Sequence, residues 1–429
     1  MERNGDDRSR NGQARRARFL AVDFFCGAGG TTRGLIDAGG YVIAGIDKDA
    51  GCEATYRDPG NNPNVALDRE PPRFLHRDVF ARSDRHPGGE QDELMTDLGE
   101  LIERGRSRAP RTPLLFAVCA PCQPFTKLSR KEMSEARRVK RAQDAGLLKE
   151  ACRFIERFKP EMVFCENVAR IDGPRYGGVW DEFRTDLERM DYATGSKVVC
   201  ASRFGIPQYR KRTILLGVTR PSVRRTRFAD LLDAELFVPD ADPGAAVVSV
   251  AQAIGHLAPL RAGEEHPETP NHKARALSDI NHRRLAAARP GESNAYMAAT
   301  EHGDLTLDCH RRVNRKLRRR CFTDVYTRMK PDEPSPTITT RCVSVSNGRF
   351  GHYDVSQVRA ITVREAAVLQ SFPEGYRFHT GTRTEAAARM VGNAVPPKLA
   401  RFFAAYLADS LDPASPRVRR RTRSGAAER

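Results

Sequence analysis

The sequence predicts an α/β protein built on a parallel sheet, with a second, smaller domain inserted before the sheet domain is complete. Three observations predict this. Short apolar runs alternate with amphipathic stretches through the first half, the alternation breaks near Arg220, and helical patterns return after Ile361. Strand–helix alternation implies βαβ units, which bury a parallel sheet between helices on both faces.

The elements follow in order. Phe19–Phe24 reads as the first strand, and the glycine-rich turn Phe25-Cys26-Gly27-Ala28-Gly29-Gly30 leads into a helix over Thr31–Ala38. Tyr41–Ile46, Leu114–Cys119, Met162–Cys165 and Thr213–Val218 read as further strands. A buried helix segment is the alternative for each, but short length and β-branched content favour strands. Leu147–Phe158 carries Leu147, Leu148, Ala151, Phe154, Ile155 and Phe158 at three- and four-residue steps, the spacing of a one-sided helix. Residues 221–357 hold many prolines and little periodicity, so they form the inserted domain. Residues 19–220 with 358–410 form the sheet domain, and 1–18 and 411–429 read as basic disordered tails.

Composition bounds the function. The 429 residues carry a net charge of +17, which calls for a polyanionic partner because neutralised phosphates release counterions. Two internal clusters carry that expectation: Lys127–Arg141, and Arg311–Arg320 with seven basic residues in ten positions. No apolar run approaches the roughly 20 residues that cross a bilayer, so a cytoplasmic, nucleoid-associated protein without membrane contact is expected. The ten cysteines are irregularly spaced, which does not suggest a disulfide framework. Cys119 and Cys122 have CxxC spacing but no second pair to complete a zinc site, so no metal is expected.

The chemistry concentrates at strand ends. Pro121-Cys122-Gln123-Pro124 follows Leu114–Cys119, and Glu166-Asn167-Val168 follows Met162–Cys165, placing a thiol and a carboxyl where a substrate can meet both. The glycine turn lets the backbone approach a ligand at a helix N-terminus. Such a turn by itself is often only a turn. Asp47 ends the second strand where a carboxylate takes ribose hydroxyls, and Asp78-Val79 offers an acceptor for an adenine amino group. The GxGG spacing disfavours a dinucleotide, whereas a purine nucleoside such as S-adenosylmethionine fits.

Together these residues resemble the DNA (cytosine-5)-methyltransferase family of bacterial, restriction-modification type. Phe25–Gly30 resembles its cofactor loop, Pro121-Cys122-Gln123 its nucleophile motif and Glu166-Asn167-Val168 its acid motif. Gln208-Tyr209-Arg210-Lys211-Arg212 resembles its QxRxR motif, and Arg364–Pro373 and Gly392–Pro397 resemble its last two. The resemblance implies a Rossmann-like S-adenosylmethionine-dependent methyltransferase fold with an inserted target-recognition domain over 221–357. It implies methyl transfer to C5 of cytosine within a specific sequence of double-stranded DNA, with S-adenosylhomocysteine as the second product.

In that reading Cys122 adds to C6 of a flipped base. Glu166, protonated or sharing a proton with N3, neutralises charge on the ring, while Arg210 and Arg212 position the base and a flanking phosphate. Phe25, Gly27, Gly29, Gly30, Asp47, Lys48, Asp78, Val79, Leu147, Asn393 and Val395 would line the cofactor site. The family usually has Glu at Asp47, an apolar or aromatic residue at Lys48 and Ser at Thr126. Gly392-Asn393 is expected to form a tight turn, Lys127–Arg141 a loop closing over DNA, and Arg311–Arg320 a phosphate track. A monomer is expected, with a cognate restriction endonuclease acting on the same site as its functional partner. A tRNA-methylating relative would need an insert not evident here, a dehydrogenase would not need Cys122, Glu166 and Arg212 together, and a regulator without catalysis would not keep Cys122 and Glu166.

Overall fold

The computed structural model describes residues 16–121, 146–169, 171, 177–223 and 238–412; Cys122 and the segment 127–141 lie outside them. The central sheet is built from β1 (Leu20–Phe24), β2 (Tyr41–Asp47), β3 (Arg73–His76), β4 (Leu114–Val118), β5 (Met162–Val168), β6 (Tyr192–Cys200) and β8 (Lys211–Thr219). Its order is β3-β2-β1-β4-β5-β8-β6. The short β7 (Gln208–Tyr209) pairs separately with β9 (Ser335–Pro336).

Alternation along the strands feeds two cores. Leu20, Val22 and Phe24 of β1 join Leu114, Phe116 and Val118 of β4 on the face covered by helices Gln91–Arg108, Leu147–Phe158 and Gly177–Arg189. Ala21, Leu115, Ala117, Met162 and Phe164 point the other way, toward Leu35 and Ile36 of helix Gly30–Asp37 and Leu399, Phe403 and Leu407 of helix Pro397–Leu411. A strand buried on both faces reads as a continuous apolar run, which is why these strands are visible in the sequence.

Two features differ from the expectation. The sheet is mixed, because β8 runs antiparallel to both β5 and β6. Only a short segment around Ala201–Phe204 and β7 separates β6 from β8, too little for the crossover that a parallel neighbour requires. Gly392 and Asn393 are the last two residues of helix Thr384–Asn393 rather than a tight turn. Glycine is needed there for contact: a Cβ on Gly392 would lie 2.4 Å from the Thr339 carbonyl carbon and the Thr340 nitrogen.

The inserted stretch does not stand apart. Val250, Ile254, Met329, Ile338 and Phe350 share one apolar cluster with Ile361, Ala366, Leu369 and Val391, so packing crosses the expected boundary at 357–358. Inside this region Glu365 caps its own helix through Thr362 and receives both Nη1 and Nη2 of the buried Arg359, at 2.8 and 2.7 Å.

Helix Pro397–Leu411 crosses helix Gly30–Asp37 at Gly34, where a Cβ would sit 2.4 Å from the Pro397 carbonyl oxygen and 2.6 Å from the Ala400 Cβ. Gly34→Ala is therefore expected to lower stability by about 1–3 kcal/mol through overpacking. Urea unfolding checks this: the midpoint should fall at constant slope, and an unchanged midpoint would show that the crossing yields freely.

Candidate functional site

The carboxyl ends of β1, β2, β4 and β5 open into a cavity of about 460 Å³, the position at which open α/β sheets take ligands. Phe25, Gly27, Gly30, Asp47, Lys48, Asp78, Val79, Leu147, Glu166, Arg210, Arg212, Asn393 and Val395 all line it. Of the residues singled out in the sequence, Gly29 is turned away and Cys122 lies outside the described residues; Pro121, its neighbour, is on the wall.

The glycine turn is sharp. Phe25, Gly27 and Gly29 have φ of 61°, 51° and 91°. The three glycines differ in what they face. A Cβ on Gly27 would meet nothing within 4 Å, whereas on Gly29 it would lie 2.5 Å from Asn62 Nδ2 and on Gly30 2.7 Å from the Val395 carbonyl oxygen. Gly27 thus leaves open space at the cavity, while Gly29 and Gly30 let the loop pack against its neighbours. The Tyr376 hydroxyl donates to the Ala28 carbonyl and locks the turn from behind.

Asp47 is set by that turn. Its Oδ2 accepts from the Gly27 N–H at 2.8 Å and its Oδ1 from the Asp49 N–H at 2.8 Å. Burial raises its pKa above the ordinary carboxylate value, partly offset by those two N–H donors. Asp78 Oδ1 accepts from the Phe80 N–H at 3.2 Å, and Lys48 Nζ stands 3.9 Å from its other oxygen. Lys48 is half-exposed and pairs with Asp78 there.

At the other end, Arg212 Nε lies 2.8 Å from Glu166 Oε1, and both side chains are about nine-tenths buried. Pairing across the antiparallel β5–β8 ladder, with Val168 opposite Arg212, brings them together. Arg212 Nη1 also donates to the Lys211 carbonyl at 2.7 Å. Asn167 Nδ2 donates to the Ala120 carbonyl at 3.2 Å, tying the acid's strand to the segment that leads into Cys122. Burial pushes the Cys119 thiol well above its ordinary pKa, so the first cysteine of the CxxC pair is held as a neutral thiol. No cluster of His, Cys, Asp and Glu among the described residues could hold a metal ion.

Arg210 departs from the expected contact with base and phosphate. Its guanidinium is buried, with Nη1 donating to the Ile338 carbonyl at 3.0 Å and Nη2 to those of Gly392 and Ala394 at 3.2 and 3.3 Å. A planar fork with fixed donors suits main-chain carbonyls as well as phosphate, and here it joins three segments. Gln208 and Gln370 extend the same network, with Gln370 Nε2 donating to Val391 and Ala394.

The sequence reading missed the wall made by helix Thr384–Asn393. Arg383, Ala386, Arg389 and Met390 line the cavity with Asn393, a stripe at helical spacing that no short motif marks.

A family model described as C-5 cytosine-specific DNA methylase matches residues 101–408. The chain is similar to the type II methylase M.HgiDII of Herpetosiphon aurantiacus, with 31% identity over 385 residues covering 89% of this chain and 93% of that one. It is also similar to the type II methyltransferase M1.HphI of Haemophilus parahaemolyticus, 27% identical over 396 residues, covering 89% and 85%. Among solved structures, a DNA modification methyltransferase encoded within a prophage of E. coli superposes with a TM-score of 0.61 at 19% identity, covering 92% of this chain and 99% of that one.

Behind the glycine turn, Asp23 is fully buried in β1; Oδ2 accepts from the Thr32 hydroxyl at 2.7 Å and Oδ1 has no hydrogen-bond partner in the described structure. Burial raises its pKa from 3.8 to about 7, with Thr32 opposing the rise and Asp47 adding to it. A raised carboxyl stabilises the fold fully below the unfolded value and loses that contribution as pH climbs through the folded value. Asp23→Asn should therefore flatten the fall in stability between about pH 4 and pH 7 and gain on the order of 1–3 kcal/mol over wild type at pH 8. Denaturant unfolding at pH 5 and pH 8 checks this; equal pH slopes in both proteins would contradict it.

Proposed function

The chain belongs to the C-5 cytosine-specific DNA methylases, and from that premise we propose that it transfers a methyl group from S-adenosylmethionine to C5 of cytosine, within a specific duplex sequence, by covalent addition of Cys122. As a DNA cytosine-5 methyltransferase of restriction-modification type it acts on DNA. The observation that carries the finer reading is the buried Glu166–Arg212 pair in a cavity that Asp47 and Asp78 also line.

The cavity suits a purine nucleoside. Phe25, Ile46, Val79 and Leu147 supply apolar wall; Asp47 would take the ribose hydroxyls, and Asp78 and the Val79 backbone would take the adenine amino group. Gly27 leaves room for close approach, and Asn393 and Val395 would hold the remainder of the cofactor. When bound, S-adenosylmethionine supplies an electrophilic methyl on a sulfonium.

Cytosine C5 is a poor nucleophile until C6 is substituted. The Cys122 thiolate forms a bond to C6, and the C5–C6 π electrons become available at C5 to take the methyl carbon, whose bond to the sulfonium sulfur would break to leave S-adenosylhomocysteine. The C5 proton then leaves to a base as the sulfur–C6 bond breaks, restoring the aromatic ring and the thiolate. Glu166 takes the N3 edge and Arg212 the O2 edge, so negative charge that develops on the ring meets fixed donors in a water-poor site. Arg210 acts at one remove by holding residues 392–394 against β8.

A stacked base cannot reach Cys122, so the target is flipped out of the duplex at a cost of a few kcal/mol. Arg311–Arg320 suits the phosphate-tracking role, since helix Asp308–Leu317 buries none of its residues. The segment 127–141 is the candidate DNA-closing loop, and 221–357 the target-recognition region. No helix among the described residues is long and apolar enough to cross a membrane; a cytoplasmic enzyme paired with an endonuclease of the same specificity fits the restriction-modification relatives.

A duplex with 5-fluorocytosine at the target position tests the covalent step, because fluorine at C5 cannot leave as a proton. Wild type should form a denaturation-resistant adduct in the presence of S-adenosylmethionine, and Cys122→Ser should form none while binding the cofactor normally. Residual methylation by that variant would remove Cys122 from the role. Glu166→Gln should slow single-turnover methylation about 10²–10⁴-fold with DNA affinity retained; a rate within twofold of wild type would contradict its role.

A further inference from the structure

The positive charges around the cavity are unequally committed. Arg77 pairs with Glu90 and Asp97 at 3.3 and 3.2 Å, Lys48 with Asp78 at 3.9 Å, and Arg212 with Glu166 at 2.8 Å. Arg210 is spent on main-chain carbonyls, and Arg383 Nε reaches the Thr380 carbonyl at 3.5 Å. Arg389 is the exception: it lines the cavity, is exposed, and has no carboxylate or hydrogen-bond partner among the described residues.

Its position is informative. Arg389 stands one helical turn before Asn393 on helix Thr384–Asn393, on the side that also brings Ala386 and Met390 to the cavity. The end of that helix abuts the glycine turn, since Val395 touches the space above Gly30. The cavity also carries carboxylates, with Asp47, Asp49 and Asp78 on its wall. A nucleoside bearing an amino-acid chain carries one fixed anion, its α-carboxylate, together with sulfonium and ammonium cations. Asp47, Asp49 and Asp78 favour the hydroxyls and cations and repel the carboxylate, which leaves the arginine wall as its electrostatic match.

We infer that Arg389 binds the α-carboxylate of S-adenosylmethionine and so makes the site selective for the carboxylated cofactor. This rests on the cofactor reading above. Arginine matches a carboxylate with a planar pair of donors, and such charge-assisted bonds contribute roughly tenfold to a hundredfold in affinity. Arg383 lies further along the same wall and supplies background positive potential.

Titration calorimetry on the full chain without DNA tests this, using S-adenosylmethionine and its decarboxylated analogue as ligands. Wild type should bind the carboxylated form about tenfold or more tightly than the analogue. Arg389→Gln should weaken S-adenosylmethionine by a similar factor and leave the analogue within about twofold, bringing the ratio near one; Arg389→Lys should restore part of it. An unchanged ratio in Arg389→Gln would overturn the inference while leaving the cofactor reading intact. Loss of duplex DNA affinity with both cofactor constants unchanged would overturn it too, reassigning Arg389 to phosphate. If wild type bound neither ligand, the cofactor reading itself would fall and the inference with it.

Discussion

The site depends on a small buried network in which Gln208, Arg210 and Gln370 hold three distant segments together. Gln208 accepts from the Ile338 N–H at 2.9 Å and donates to Gln370, while Arg210 and Gln370 both reach the carbonyls at the end of helix Thr384–Asn393. Most of these main-chain groups are buried. Leaving one of them unpaired in the interior costs about 1–3 kcal/mol. The network therefore fixes where Asn393 and Val395 stand against the glycine turn, and it does so from the Gln208–Arg210 segment that leads directly into β8, the strand carrying Arg212. The cavity wall at Asn393 and Val395 and the buried Arg212 share one frame.

That frame explains how opposite electrostatic needs coexist in one cavity. Asp47 is held by two N–H donors, and in the proposed reading its carboxylate would meet the ribose hydroxyls. Glu166 and Arg212 form a nearly dry ion pair, and in the proposed mechanism each would meet one edge of the target base. Their separation across adjacent antiparallel strands is set by the β5–β8 register, and a slip of one residue would turn either side chain to the other face. Placing these groups on rigid strands rather than on loops keeps the geometry ready before substrate binds.

Much of this was legible in the sequence for a physical reason. β1, β4 and the first half of β5 are buried on both faces and appear as short, largely apolar runs, interrupted in β1 only by Asp23; helix Leu147–Phe158 buries Leu147, Leu148, Ala151, Phe154 and Ile155 of the expected stripe, with Cys152 added and Phe158 partly buried. β3 was not legible because it is a half-exposed edge strand, Arg73–His76, with no apolar run. β6 carries Thr194, Gly195, Ser196 and Lys197 at its centre, which reads as a loop until β8 pairs with it. The reversal of β8 follows from a short connection that composition does not advertise. At the site, motif residues announced themselves by chemistry, but Arg389 did not: a lone arginine on a polar helix face acquires meaning only when the fold turns that face toward a cavity. Arg210 shows the converse, a motif arginine whose partners are distant carbonyls.

The central claim is that this chain places a methyl group on C5 of one cytosine in one short duplex sequence. Methylating mixed genomic DNA with the purified protein and S-adenosylmethionine, then sequencing after bisulfite conversion, tests it most directly. The account predicts that conversion-resistant cytosines fall at a single position of one short recurring motif. Complete conversion, or resistant cytosines scattered without a motif, would contradict it.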